Sequence, residues 1–219
     1  MTNTTRQWAS YTVGPLCMTL YGVIRLTDAD HGPGLSWSLG HLALLVSVSA
    51  FVTVMWRLRR WAGAGRGPAA RRFAGTATVV GVLGAAAAAA QTVIDLVIGF
   101  LCADRGAMDV LFEEVRSHPG VTPAVYTVGP SLLYVGLVLL TAQLAAMRRI
   151  EVWRPLVVVA GIAVAAVSLD LLPLGGLLLL LALAPLDRRQ RLSIPDAGRE
   201  RRHELPHAAP AHRPAGADR

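Results

Sequence analysis

From Ala9 to Leu186 apolar residues run almost without interruption, cut only by short polar loops. A helix needs about 20 apolar residues to cross the hydrocarbon core of a bilayer, within a range of roughly 17 to 25. The pattern predicts spans at about 9–26, 35–55, 75–101, 124–147, 155–172 and 175–186. The first four are apolar around their whole circumference, unlike the one-sided stripe of a soluble helix. The expected fold is all-α: a polytopic transmembrane bundle over residues 1–186, with six spans and five as the alternative.

The count turns on Pro155–Leu186, a stretch of 32 residues that is long for one helix and short for two. Pro173, Gly175 and Gly176 interrupt it, which places a turn at Leu172–Gly175. The second crossing then has about 12 apolar residues, roughly 18 Å at 1.5 Å per residue. It must thin the bilayer, snorkel or pack deeply. A single crossing would instead put Arg188, Arg189 and Arg191 on the face opposite the other arginines.

Two segments lie outside the spans. Met108, Leu111, Phe112 and Val115 recur at i, i+3, i+4 and i+7, predicting a short amphipathic helix on the outer surface, stopped by Pro119–Gly120. Residues 187–219 are rich in Arg, Pro, Ala and His, with few large apolar groups, and are expected to be a disordered cytoplasmic tail. Its His203, His207 and His212 lack compact ligand spacing, so no metal site is expected there.

Loop charge alternates in sign along the chain. Thr27–Gly34 carries Asp28 and Asp30 and no base, whereas Trp56–Arg72 carries six arginines and no acid. Ala103–Pro123 holds Asp104, Asp109, Glu113 and Glu114 against Arg105 and Arg116, and Arg148–Arg154 is again net positive. Arg-rich flanks stay cytoplasmic, so both termini are expected on the cytoplasmic side.

Composition narrows the class. Hydrophobic residues make up 53% of the 219, above the usual share for a soluble domain. Every basic residue is Arg, and Ala, Gly and Pro are abundant, as in a protein of a high-GC bacterium. The plasma membrane is then the expected location. The net charge of +7 gathers in one loop and the tail, which argues against nucleic acid as a partner. Anionic lipid headgroups suffice for Arg57, Arg59, Arg60, Arg71 and Arg72, and Trp56 and Trp61 fit the aromatic belt at the interface. Cys17 and Cys102 form no disulfide framework. No cofactor-binding motif is present. A homo-oligomer or a partner membrane protein stays open.

The string Tyr-Thr-Val-Gly-Pro occurs twice, at Tyr11–Pro15 and Tyr126–Pro130. Each copy opens a span, the first and the fourth, so the copies enter the membrane from opposite faces. Inverted three-plus-three repeats with Gly/Pro-interrupted spans point to transporter binding sites. Pro15 and Pro130 each free a backbone carbonyl and are candidate kinks. Ordinary helix-start prolines are the competing explanation.

Ionisable residues inside spans are costly and mark candidate sites. Asp95 lies deepest, with Gln91 one turn earlier on the same face. Arg25, His41, Gln91, Asp95, Tyr134 and Asp170 all fall in the outer half of the membrane on the expected topology. They can form a water-accessible pocket serving as a ligand or proton pathway, with His41 and Asp95 as its proton-handling pair. They can equally be polar ties between helices. Gly81, Gly84, Ala85 and Ala88 permit close approach and put the third span at the bundle centre. No nucleophile elbow, zinc-protease or phosphate-loop motif occurs, so no catalytic residue is assigned. Three readings follow: a small carrier with an outward-facing polar pocket, an accessory membrane protein, or a membrane-embedded enzyme using His41 and Asp95.

Overall fold

A computed structural model describes residues 3–186 except 29 and 65, with side chains from residue 11 onward. The expected tail, with its arginines and histidines, lies outside the described residues. All described elements are helical. They are α1 (Asn3–Thr27), α2 (Leu35–Gly63), α3 (Pro68–Leu101), α4 (Arg105–Ser117), a π-helical turn (Thr122–Thr127), α5 (Val128–Ala146), α6 (Trp153–Val167), a 3₁₀ turn (Leu169–Leu171) and α7 (Leu172–Leu183). α2, α3 and the continuous segment Thr122–Ala146 are each long and apolar enough to cross a membrane. α6 and Leu169–Leu183 are apolar but shorter.

Local chemistry sets the boundaries. Pro68 supplies the fixed φ of a first helical turn to α3. The Asp104 carboxylate caps α4, accepting from the Ala107 amide at 2.9 Å. α6 stops where Ser168 turns extended, and the Ser168 hydroxyl accepts from the Asp170 amide at 3.1 Å. The break therefore falls at 168–171, ahead of the Leu172–Gly175 turn read from the sequence. Pro173 sits in the first turn of α7, where its missing amide costs nothing.

The glycines that suggested a turn serve instead as helix crossings. A Cβ on Gly176 would come within 2.9 Å of the Pro15 carbonyl and Thr19 amide of α1, and one on Gly175 within 2.8 Å of the Gly161 carbonyl of α6. Gly84 packs in the same way on the Leu132–Leu133 backbone of α5, and Gly81 faces Gly136. Such contacts bring backbones together where apolar burial gives no drive.

The apolar helices pack side by side in chain order, α1 on α2, α2 on α3, α3 on α5, α6 on α7, and α7 back on α1. α5 and α6 meet over a shorter length, leaving a seam. One continuous core runs through the bundle, with Tyr11, Phe51, Met55, Leu58, Leu137, Leu140, Leu144, Leu179 and Leu183 fully buried or nearly so. Large apolar side chains also cover the outside, including Leu39, Leu42 and Val46 of α2, Val79 and Leu83 of α3, and Leu174, Leu177 and Leu181 of α7. A soluble protein rarely exposes so extended an apolar surface. A hydrocarbon solvent accounts for it.

Charge separates the two ends. At one end Arg149 donates to the Trp61 carbonyl and, at 2.6 Å, to that of Ala64, capping α2. Arg154, only 5% exposed, pairs with Glu151 at 2.6 Å and donates to the Ala182 carbonyl at 2.8 Å, joining α6 to the end of α7. At the other end Arg105 bonds the His31 carbonyl at 2.8 Å and pairs with Asp109 at 3.1 Å. The amphipathic pattern of 108–115 does form α4, whose Met108 and Phe112 bury against Ile98 of α3 and pack with Trp37 of α2.

Candidate functional site

The proposed polar residues fall into two neighbouring groups. Near the acidic end, α2 and α3 bring His41 and Asp95 together, with Nε2 to Oδ2 at 3.7 Å. Both are buried. His41 Nδ1 lies 2.8 Å from the Trp37 carbonyl. A carbonyl only accepts, so Nδ1 carries a hydrogen and donates. The face towards Asp95 is then attractive in two states, imidazolium with carboxylate or neutral imidazole with carboxylic acid. Each state holds one proton between the two groups. At 3.7 Å the two atoms lie within ion-pair distance but too far apart for a hydrogen bond.

Aromatic groups fix this pair. Trp37 precedes His41 by one helical turn, stacks on its ring at 4.2 Å between centroids, and donates Nε1–H to the Asp95 carbonyl at 2.8 Å. Tyr21 meets the imidazole edge-on at 5.4 Å between ring centroids. Phe112 of α4 lies 6.2 Å from Trp37, so the short helix covers the cluster from outside. Arg25 and Asp170 pair at 3.6 Å, with the Asp170 side chain 61% exposed, tying α1 to the α6–α7 turn. A cavity of about 20 Å³ touches Tyr21, Arg25, Trp37 and His41. That is room for about one water molecule.

The second group lines a groove of about 660 Å³ in the seam between α5 and α6. Gln91, Tyr126, Ser131 and Tyr134 give it polar points, and Val138 and Ile162 belong to its apolar wall. Pro130 lines it too. Lacking an amide, Pro130 cannot bond the Tyr126 carbonyl, and the chain ahead of it widens into the π-helical turn. Such turns are frequent at functional sites. The geometry thus brings His41 to Asp95, Arg25 to Asp170, and Gln91 to Tyr134, but lines no single cavity with all six.

Tyr126 lines the groove, and Arg116 lies over its ring at 5.2 Å. Tyr126 Oη and Asp95 Oδ1 are both buried without a hydrogen-bond partner, a costly condition in a folded protein. Sequence reasoning did not single out Trp37, Tyr21 or Tyr126. The i, i+4 spacing of Trp37 and His41 signals the first, and the repeated pentapeptide, in which Tyr126 stands first, signals the last.

The two pentapeptides share features beyond their letters. Arg57 lies over the Tyr11 ring at 5.8 Å, and Arg116 over the Tyr126 ring at 5.2 Å, one from each end of the bundle. Past each proline a glycine of another helix crosses closely, Gly176 on Pro15–Thr19 and Gly84 on Leu132–Leu133. They differ in backbone. Pro15 lies inside an unbroken α1, well past its start, whereas the second copy straddles the π-helical turn. The α1–α2 seam is closed by a buried bond from Ser47 Oγ to the Gly14 carbonyl at 2.7 Å. The α5–α6 seam is open.

Helices of this length and apolarity are those of a membrane protein. The chain matches no protein-family model, no curated protein and no solved structure.

Proposed function

We propose that this chain is a six-span carrier of the plasma membrane, with both ends cytoplasmic. On this reading the His41–Asp95 pair holds an exchangeable proton, and the α5–α6 groove admits a small amphiphile, neutral overall and bearing a hydrogen-bonding group. The excess of arginines at one end of the bundle and of carboxylates at the other supports the orientation. The observation that carries the function is a pair of buried oxygens without a hydrogen-bond partner, Asp95 Oδ1 of the pair and Tyr126 Oη of a residue that lines the groove. On this reading a proton on Asp95 changes the charge near these oxygens, and so couples the pair to the shape of the groove. The open α5–α6 seam opposite a closed α1–α2 seam, each beginning with the same pentapeptide, supports exchange between two such states.

The test is side-specific labelling of Ser131→Cys in a background without Cys17 and Cys102, reconstituted in vesicles of known orientation. Membrane-impermeant maleimide added outside should react at one pH and be excluded at another, and Asp95→Asn should abolish the difference. Equal labelling from outside at every pH overturns the carrier reading. One observation favours a second reading, that of a helix tie in an accessory protein: the pair meets directly, beside a cavity of only about 20 Å³. Under that reading Asp95→Asn lowers stability and leaves labelling unchanged.

A further inference from the structure

At the basic end, α2 and α3 enclose a hollow of about 290 Å³ lined by Trp56, Arg59, Arg60, Gly63 and Arg71. Three of these five residues carry guanidinium groups and none is acidic. Arg59 and Arg60 lie over the Trp56 ring, at 4.9 and 5.8 Å. Gly63 lies beside the Arg71 stem, where a Cβ would stand 3.4 Å from Arg71 Cγ, at van der Waals contact. Among the described residues, no ion pair neutralises Arg59, Arg60 or Arg71. Like charges converging on one hollow repel one another unless an anion sits between them.

We infer that this hollow binds the headgroup of an anionic phospholipid carrying two phosphodiesters. Each guanidinium presents a planar fork that fits two phosphate oxygens. Three forks exceed the demand of one phosphodiester, with its two free oxygens, and suit the four free oxygens of a pair. A lipid is favoured over a soluble phosphate by position. The hollow ends two helices long and apolar enough to span a bilayer, and Trp56, 48% exposed, lies at the level where indole rings meet headgroups. Basic pockets between spanning helices bind headgroups of this kind. The site requires only that α2 and α3 cross the membrane, and holds whether or not the groove carries a solute.

Native mass spectrometry of the whole protein, released from nanodiscs of phosphatidylcholine with cardiolipin or with phosphatidylglycerol at equal total charge, tests the site. The wild type should retain cardiolipin at least ten-fold more than phosphatidylglycerol. The Arg59→Lys/Arg60→Lys/Arg71→Lys variant, which keeps the charge and loses the forks, should lose that preference. Arg66→Lys/Arg72→Lys, outside the hollow, should keep it. Equal retention of the two lipids by the wild type overturns the proposal, as does an undiminished preference in the triple variant. Displacement of cardiolipin by equimolar inorganic pyrophosphate would overturn the lipid assignment and identify a soluble diphosphate site.

Discussion

A double-mutant cycle on His41 and Asp95 measures whether the pair is held as a unit. At 3.7 Å and an effective dielectric of ~20, the gross attraction between imidazolium and carboxylate is about 4.5 kcal/mol. Removing both groups from water offsets much of this. The coupling left for measurement falls in the range of about 1–3 kcal/mol typical of contacting polar pairs. The single variants should be unequal. Asp95→Asn leaves an imidazole that can shed its Nε2 proton and keep its bond to the Trp37 carbonyl. His41→Gln strands a buried carboxylate, a change that costs about 3–5 kcal/mol while the group stays ionised. Reversible unfolding in mixed micelles, followed by tryptophan fluorescence, gives all four corners of the cycle. Additive single effects, with coupling below about 0.5 kcal/mol, would refute the paired arrangement.

Two further outcomes concern the frame around the site. Gly84→Ala should destabilise by about 1–3 kcal/mol or more, because its Cβ would fall within 2.8 Å of Leu132 and Leu133 backbone atoms that cannot rotate away; Gly75→Ala, with open space around it, is the control in the same unfolding assay. Arg154→Met should cost about 1–3 kcal/mol by leaving the Ala182 carbonyl unsatisfied at the α6–α7 contact. The part of the loss that comes from the buried Ala182 carbonyl should persist at high salt, whereas the part from the half-buried Glu151 pair should be screened, and thermal melts at low and high ionic strength check this.

Apolar run length sufficed to place the long helices, because in a bilayer the solvent itself selects for continuous apolar sequence. The stretch 155–186 was harder for a physical reason. Pro173, Gly175 and Gly176 are turn formers in water, yet in a packed bundle the same residues let α7 approach α1 and α6. Composition cannot tell these uses apart. The actual break rests on Ser168, whose hydroxyl bond to the Asp170 amide is an ordinary polar turn that the surrounding leucines obscured.

The His41–Asp95 contact was legible from loop charge and helical rise, which put both residues at one depth. Depth says nothing of rotation about a helix axis. For that reason Gln91 and Tyr134 were not separable beforehand from His41 and Arg25, although the structure turns them towards a different space. Tyr126 escaped notice because it sits in the π-helical turn, whose wider backbone shifts side-chain directions within the helix. The identical pentapeptide at Tyr11–Pro15 stays regular, so local sequence alone does not dictate that turn.

Infrared titration of Asp95 in the reconstituted protein, set against Ser131→Cys labelling of the same preparation, tests the coupling of pair and groove most directly. A carboxylic-acid carbonyl band that is absent from Asp95→Asn should rise as pH falls, with the same midpoint as the change in labelling. An Asp95 that never changes protonation while the groove opens and closes would contradict the account, as would a titrating Asp95 beside a groove that stays unchanged.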